Sequence, residues 1–286
     1  MHIGQRVALA GMLVSGALAV VKIWAGLAGH SASALADGLE SAGDVFSSGL
    51  VLAAMTLAVK PADAEHPYGH GRAEILTGLL IGLVLTATGA LITYGSAIRI
   101  GEPGEPVSAF VFWPLAGSLV AKSILAGVKF SYSRKLQSDA LRADAWNDSM
   151  DTLSAIVALA AVGMAVRWPS RFLEADRVGG MVIGLIVVAV GVRVAYDTAL
   201  QLMDTMPAEA YVNQIREVAS TVPGARGVEK CYARKTGLRY HVDLHLEVDS
   251  QMTVRQSHEI AHQVQERILE RLDWVAAVLV HVEPAP

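Results

Sequence analysis

One cysteine, Cys231, stands among 286 residues. A lone thiol excludes an intramolecular disulfide framework and a CxxC metal knuckle. Aromatic residues make up 6% of the chain and charged residues 17%, the latter short of the roughly one quarter usual in soluble domains. Basic residues are scarce: 23 Lys and Arg against 27 Asp and Glu give a net charge of −4. No basic stripe is present, which argues against a nucleic-acid partner. A Gly-rich phosphate loop, a Walker motif and a nucleophile–base pair are also missing, so the chain does not read as an enzyme. The first apolar stretch, Val7 to Leu27, has no evident cleavage site and is long enough to span a bilayer. No cleavable signal is expected.

What the chain does have is apolar length. Its residues are 53% hydrophobic and its mean hydropathy is +0.42. The excess is confined to one part: apolar runs alternate with short polar breaks from Val7 to about Met206, and charges are dense from Pro207 onward. This predicts a membrane domain over residues 1–206 and a small cytosolic domain over 207–286. A helical span needs about 20 mostly apolar residues. Six candidates occur, near Val7–Leu27, Ala34–Val59, Leu76–Ile98, Ala109–Tyr132, Ser149–Val166 and Val178–Leu202. Polar loops are expected at KPADAEHPYGHGR and SRKLQSDALR. Arg6, Lys60, Arg72, Arg134, Lys135 and Arg142 fall on one side, against Arg99, Arg167, Arg171 and Arg177 on the other. This bias places both termini and the tail in the cytoplasm, across a cell inner membrane. Recurrent Gly in the spans suits closely packed helices.

The tail reads as α/β. Ala208–Ser220 and Val254–Arg271 have helical periodicity, while Val228–Lys235, Tyr240–Val248 and Val275–Val282 read as strands, the first two joined at Thr236-Gly237. Tyr240, Val242, Leu244, Leu246 and Val248 alternate with His241, Asp243, His245 and Glu247, a half-buried strand suited to a small open-faced sandwich.

Chemistry concentrates in three places. In the second span Glu40 and Asp44 stand four residues apart, one turn along a helical face, and Asn147 with Asp151 repeats the spacing near the fifth. Charges at membrane depth are expensive unless they pair, bind an ion or line a wet cavity. Oxygen donors on two facing helices can converge into one four-ligand cage. Asp37 and Asp144 precede these pairs by three residues and are possible substitutes. Asp148 points about 100° away from Asn147 and reads as a packing or water-facing residue. In the loop after the second span, Asp63, His66 and His70 supply one oxygen and two imidazoles. In the tail, His241 and His245 share a strand face, His258 and His262 share a helix face, and His281 pairs with Glu283 in the last strand. Five of the nine histidines lie from His241 to His281, more than a polar face usually collects.

Together ADGLESAGD, HPYGHGRAE, ADAWNDSMD and HVDLHLEVD…SHEIAHQV…VLVHVEP resemble the cation diffusion facilitator family over nearly the whole chain. The resemblance implies a homodimeric, proton-coupled exporter of divalent metal, with six transmembrane helices and a ferredoxin-like cytosolic domain. It implies a transport site at Glu40, Asp44, Asn147 and Asp151, and a loop Zn site at Asp63, His66 and His70. It further implies a cytosolic-domain site at His245, His258, His281 and Glu283, with His262 where relatives are often acidic and Glu229 at an upstream ligand position. Arg72 and Asp204 fall where a charge contact joins the third and sixth helices.

This chain departs from the common family pattern at Glu40 and Asn147, where relatives often carry His or Asp. An all-oxygen cage favours harder ions such as Mn²⁺ or Fe²⁺ over Zn²⁺. It also lacks the imidazole that titrates near neutrality, so proton exchange falls to the carboxylates. Two rivals remain open at this stage. A non-transporting, metal-sensing scaffold is suggested by the neutral Asn147. A proton-driven carrier of another solute is opposed by the cytosolic histidines.

Overall fold

Runs of Ala, Leu, Val and Gly, free of proline over 20 residues or more, leave the chain little alternative to helix wherever backbone groups must be satisfied in lipid. The computed structural model describes residues 3–285 apart from 59, 103, 104, 137, 138, 170, 173 and 238. At positions 3–10, 51, 52, 55, 133, 135, 136, 139–147 and 150 only the helical backbone is described. Six long helices come first: α1 (Ile3–Ala28), α2 (Ala32–Ala58), α3 (Arg72–Ala97), α4 (Phe112–Leu136), α5 (Asp139–Arg167) and α6 (Ala175–Leu202). A single 3₁₀ turn, Ala109–Val111, leads into α4.

Among the described residues, four of these are long and apolar enough to cross a membrane: α1, α3, α4 with its leading turn, and α6. The other two, α2 and α5, are equally long and carry the carboxylates. The expected polar loop SRKLQSDALR is mostly helical, since α4 runs to Leu136 and α5 starts at Asp139. Its Leu, Lys, Arg, Gln and Ala are good helix formers, and polarity alone does not make a loop.

By contact the chain divides into two units, Met1–Leu52 with Leu80–Ala195 and Ala53–Leu79 with Tyr196–Pro286. In the first unit Ala34 and Ala36 of α2, Leu115 of α4, Ala158 and Val162 of α5, and Ile183 and Val187 of α6 form the core. Glycine lets the backbones meet. A Cβ at Gly82 of α3 would lie 2.5 Å from the Ala195 amide nitrogen of α6, and one at Gly38 of α2 would lie 2.8 Å from that of Ile23 in α1. Leu91 and Trp113 point outward, 72% and 74% exposed, as lipid-facing side chains do. The start of α2 is fixed by buried Asp176 of α6. Its carboxylate accepts from Ser31 Oγ at 2.7 Å and from the Ala32 amide at 2.5 Å. An acidic group there also complements the helix dipole.

The second unit holds the tail. After α7 (Glu209–Ser220), strands β1 (Gly227–Thr236) and β2 (Arg239–Val248) pair antiparallel. The capped helix α8 (Val254–Arg271) then crosses over to β3 (Val275–Pro284), which lies parallel to β2, as a crossover connection permits. This is the ferredoxin-like open-faced sandwich: a sheet of order β1-β2-β3 with both helices on one face. Ile215 and Val218 of α7 and Val264 and Ile268 of α8 pack against Cys231, Val242, Leu244 and Leu246. Thr253 and Gln256 form a reciprocal capping box that starts α8. The β1–β2 turn uses Gly237 at φ +68°. It lies against the loop after α2, where a Cβ on Gly71 would meet Thr236 O at 2.6 Å.

Cys231 is 5% exposed in this core, and burial pushes its thiol up to about 11. A thiolate is needed for attack on disulfide reagents, so folded protein at pH 8 is expected to react far more slowly than protein in denaturant. Equal rates under both conditions would show that the β1 core is open.

Candidate metal centres

The membrane cluster follows from helix periodicity. On α2, Asp37, Glu40 and Asp44 recur at spacings of three and four and so share one face. On α5, Asp148, Asp151 and Ser154 do the same. The two faces meet. Ser154 Oγ donates to Glu40 Oε1 at 2.9 Å, and Asp44 lies near enough to Asp151 for the two carboxyl groups to feel one another's charge. Glu40 Oε2 and Asp44 Oδ2 are buried with no hydrogen-bond partner among the described residues. Orphaned acceptors of this kind are uncommon in folded proteins and mark a site for a cation or a proton. Asn147 lies in α5, one turn before Asp151; its side chain, like that of Asp144, falls outside the described residues.

Three lysines that the sequence reading passed over complete the cluster. Lys22 of α1 sits 3.0 Å from Asp37 Oδ2 and donates to Ser41 Oγ at 2.7 Å. Asp37 is therefore held by Lys22 rather than free to substitute for Glu40. Lys122 of α4 contacts Asp151 Oδ2 and lies 3.5 Å from Asp148 Oδ1, while Lys129 lies 2.6 Å from Asp148 Oδ2. Of the two readings of Asp148, packing holds and water-facing does not. Asp148 is buried between two ammonium groups, because α4 packs along that side of α5. The available signal was a lysine inside an apolar span with no opposite charge on its own helix face. Among the described side chains, five carboxylates face three ammonium groups. The excess of two negative charges equals the charge of one divalent cation.

The loop group is built by a turn. Asp63 Oδ1 accepts from the His66 amide at 2.6 Å and the Glu65 amide at 3.0 Å, and these bonds, the His66 one first, hold its carboxyl below the usual carboxylate range. Gly69, at φ +79°, reverses the chain so that His70 returns toward Asp63. His66 Nδ1 and His70 Nε2 then lie 3.2 and 3.4 Å from the Asp63 oxygens, with the rings 4.5 Å apart. One ligand atom from each of Asp63, His66 and His70 falls within 4.8 Å of the others, a spacing that suits a small N/O-ligated ion. Nearby, Arg72 Nη2 donates to Asp204 Oδ1 at 2.8 Å. Both side chains are about half exposed, so the pair orients more than it stabilises.

The tail group occupies the open face of the sheet. The parallel register sets His245 opposite His281 and Glu247 opposite Glu283. His245 Nδ1 lies 2.5 Å and His281 Nε2 3.7 Å from Glu283 Oε1, and the two rings are 5.2 Å apart. Its contacts with Glu229 and then with His245 hold the Glu283 carboxyl below its usual range. Glu229, at the β1 bulge, thus joins this face. His258 and His262 do not join it within one chain. Their rings are 4.5 Å apart on the exposed side of α8, and α8 covers the opposite face of the sheet. His241 points to the open face beside Tyr68, 6.0 Å between rings, and burial lowers its imidazole.

Comparison with known proteins bears on the whole chain. The family described as cation efflux transmembrane domain matches residues 8–203, and that described as cation efflux protein, cytoplasmic domain matches residues 207–285. The manganese efflux system protein MneP of Bacillus subtilis is 28% identical over 99% of this chain and 97% of its own. The magnetosome protein MamM of Magnetospirillum gryphiswaldense is 31% identical over 96% of this chain and 86% of its own. A solved structure of MamM-CTD is 35% identical, covering 28% of this chain and 100% of that one, with a TM-score of 0.27.

The tail geometry has a thermodynamic consequence. Metal that binds only the folded state stabilises it by roughly 2.7 kcal/mol at a hundredfold excess over Kd. Imidazole must be neutral to ligate, so the gain is present above the histidine range near pH 6.5 and lost as pH falls through it. The fragment 207–286 is expected to melt on the order of 10 °C higher with Zn²⁺ at pH 7.5, with little change at pH 5.5. His245→Ala with His281→Ala should erase the shift, while His258→Ala with His262→Ala should keep most of it. A melting temperature indifferent to Zn²⁺ at both pH values would make this face merely solvated.

Proposed function

The chain belongs to the cation diffusion facilitator family of divalent-cation exporters, and on that premise we propose that it exports Mn²⁺, Fe²⁺ or Zn²⁺ from the cytoplasm in exchange for protons. The observation that carries this reading is the meeting of α2 and α5, where Glu40, Asp44 and Asp151 converge around buried, unpartnered carboxylate oxygens. Asn147, one turn from Asp151, is the fourth ligand. Two carboxyl groups that face each other in an apolar interior repel unless a proton or a cation lies between them, so a cation that enters displaces the proton. That exchange links metal entry to proton release at one place, with no histidine required. Outward and inward access alternate as α2 and α5 move against their neighbours.

The division of labour follows the chain: residues 1–206 form the transport domain and 207–286 the cytosolic metal-binding and dimerising domain. Two chains form a homodimer in the cell inner membrane, with termini and tail in the cytoplasm. The Asp63–His66–His70 group and the His245–His281–Glu283 group bind metal from the cytoplasm and report its concentration. His258 and His262 serve the tail site only if a partner chain brings them to it, and Arg72 with Asp204 ties α3 to the end of α6. The oxygen-only cage favours Mn²⁺ or Fe²⁺, in keeping with the manganese efflux of MneP.

Mn²⁺ uptake into everted vesicles, driven by an imposed pH gradient, tests the proposal. Asp44→Ala and Asp151→Ala are each expected to abolish uptake while the protein still inserts and dimerises; wild-type rates in either would sink the assignment. Asn147→His is expected to shift competition toward Zn²⁺, because imidazole replaces a hard oxygen. An unmoved competition profile would remove Asn147 from the ligand set.

A further inference from the structure

Lys122 lies 2% exposed at membrane depth, where an ammonium group is kept only in contact with opposite charge. Its partners are two carboxylates three residues apart on the same face of α5. Nζ contacts Asp151 Oδ2 and stands 3.5 Å from Asp148 Oδ1. One of these, Asp151, is the proposed metal ligand. The other, Asp148, is held in place by Lys129 at 2.6 Å. The ammonium thus rests on a transport ligand with a second, fixed carboxylate within reach.

We propose that Lys122 is a tethered counter-cation that neutralises Asp151 while the transport site is empty and shifts to Asp148 when a divalent cation binds. This rests on the reading of Asp151 as a ligand of the exported ion. A divalent cation and an ammonium group repel strongly inside a poorly screened interior, so the two do not share Asp151. Lysine suits the task because its charge is compact and its stem flexible. The Asp148 oxygen is already close enough that moving there needs only a small rotation of the stem. No proton changes hands: Lys122 remains an ammonium in both positions. On the exit side its return to Asp151 competes with the metal for that carboxylate and promotes release. The device weakens metal affinity and speeds turnover, as an exporter requires.

The test is Mn²⁺ uptake by full-length protein in inside-out proteoliposomes, with KM and kcat read separately and insertion checked for each variant. Lys122→Met frees Asp151, so KM is expected to fall about tenfold and kcat to fall with it. Lys122→Arg retains the charge but grips a carboxylate in bidentate fashion, so KM should rise. Asp148→Asn removes the second resting place and holds Lys122 on Asp151, so KM should rise several-fold. In the double variant KM should return to the Lys122→Met value, since Asp148 acts only through Lys122.

A purely structural Lys122 gives unchanged or raised KM in Lys122→Met, and that result overturns the proposal. If Lys122→Met does not insert, unchanged KM in both Lys122→Arg and Asp148→Asn overturns it equally. Asp44→Ala and Asp151→Ala separate the two levels. Active transport in those variants removes the transport site itself. Their inactivity, together with an unmoved KM in the lysine series, removes only the counter-cation.

Discussion

Burial of carboxylates inside an apolar helix bundle is the constraint on which everything else in this molecule turns. An unpaired carboxylate at that depth is unstable, yet Asp37, Glu40, Asp44, Asp148 and Asp151 are all placed there. Lysines from α1 and α4 take up Asp37, Asp148 and Asp151. Glu40 Oε2 and Asp44 Oδ2 are left as orphans among the described residues. Asp176, gripping the first residues of α2, fixes where that helix begins and so where its acidic face lies. A bundle balanced in this way has a deficit of positive charge at one point among the described residues, and the proposed cation is placed there.

The three candidate metal sites differ in donor chemistry in a way that fits different tasks. Oxygen alone lines the membrane cluster, which favours weakly discriminating and exchangeable binding of hard divalent ions. Imidazole joins carboxylate at the loop and on the open sheet face, which suits tighter binding of Zn²⁺ and its neighbours. The loop also leans on the β1–β2 hairpin, where Gly71 meets Thr236 and Tyr68 meets His241. Within that unit the loop and the sheet are therefore packed together.

Much of this was legible in the chain because it is local. The four-residue step from Glu40 to Asp44 is a statement about one helix face, and it survives folding unchanged. Alternation along Tyr240–Val248 names the open face of β2 without any tertiary information, and the bounds of α8 coincide with its expected span. What was not legible is tertiary. Lys122 and Asp151 are 29 residues apart, and no periodicity announces that α4 and α5 lie side by side. Asp148 reads from α5 alone as either packing or water-facing, and only the helix that covers it decides for packing. His258 and His262 joined the tail ligands by motif order, which does not say that the helix layer and the open face are on opposite sides of a sheet. The extra turns of α4 and α5 were hidden because a polar helix and a polar loop share a composition.

The central claim is that one divalent cation sits between α2 and α5 on carboxylate oxygens. Diffraction from Mn²⁺-loaded crystals of the full chain, collected at the manganese absorption edge, tests it most directly. The expected result is an anomalous peak bounded by Glu40, Asp44 and Asp151, lost in Asp44→Ala crystals. Peaks at the loop and tail histidines with none between α2 and α5 would contradict the claim.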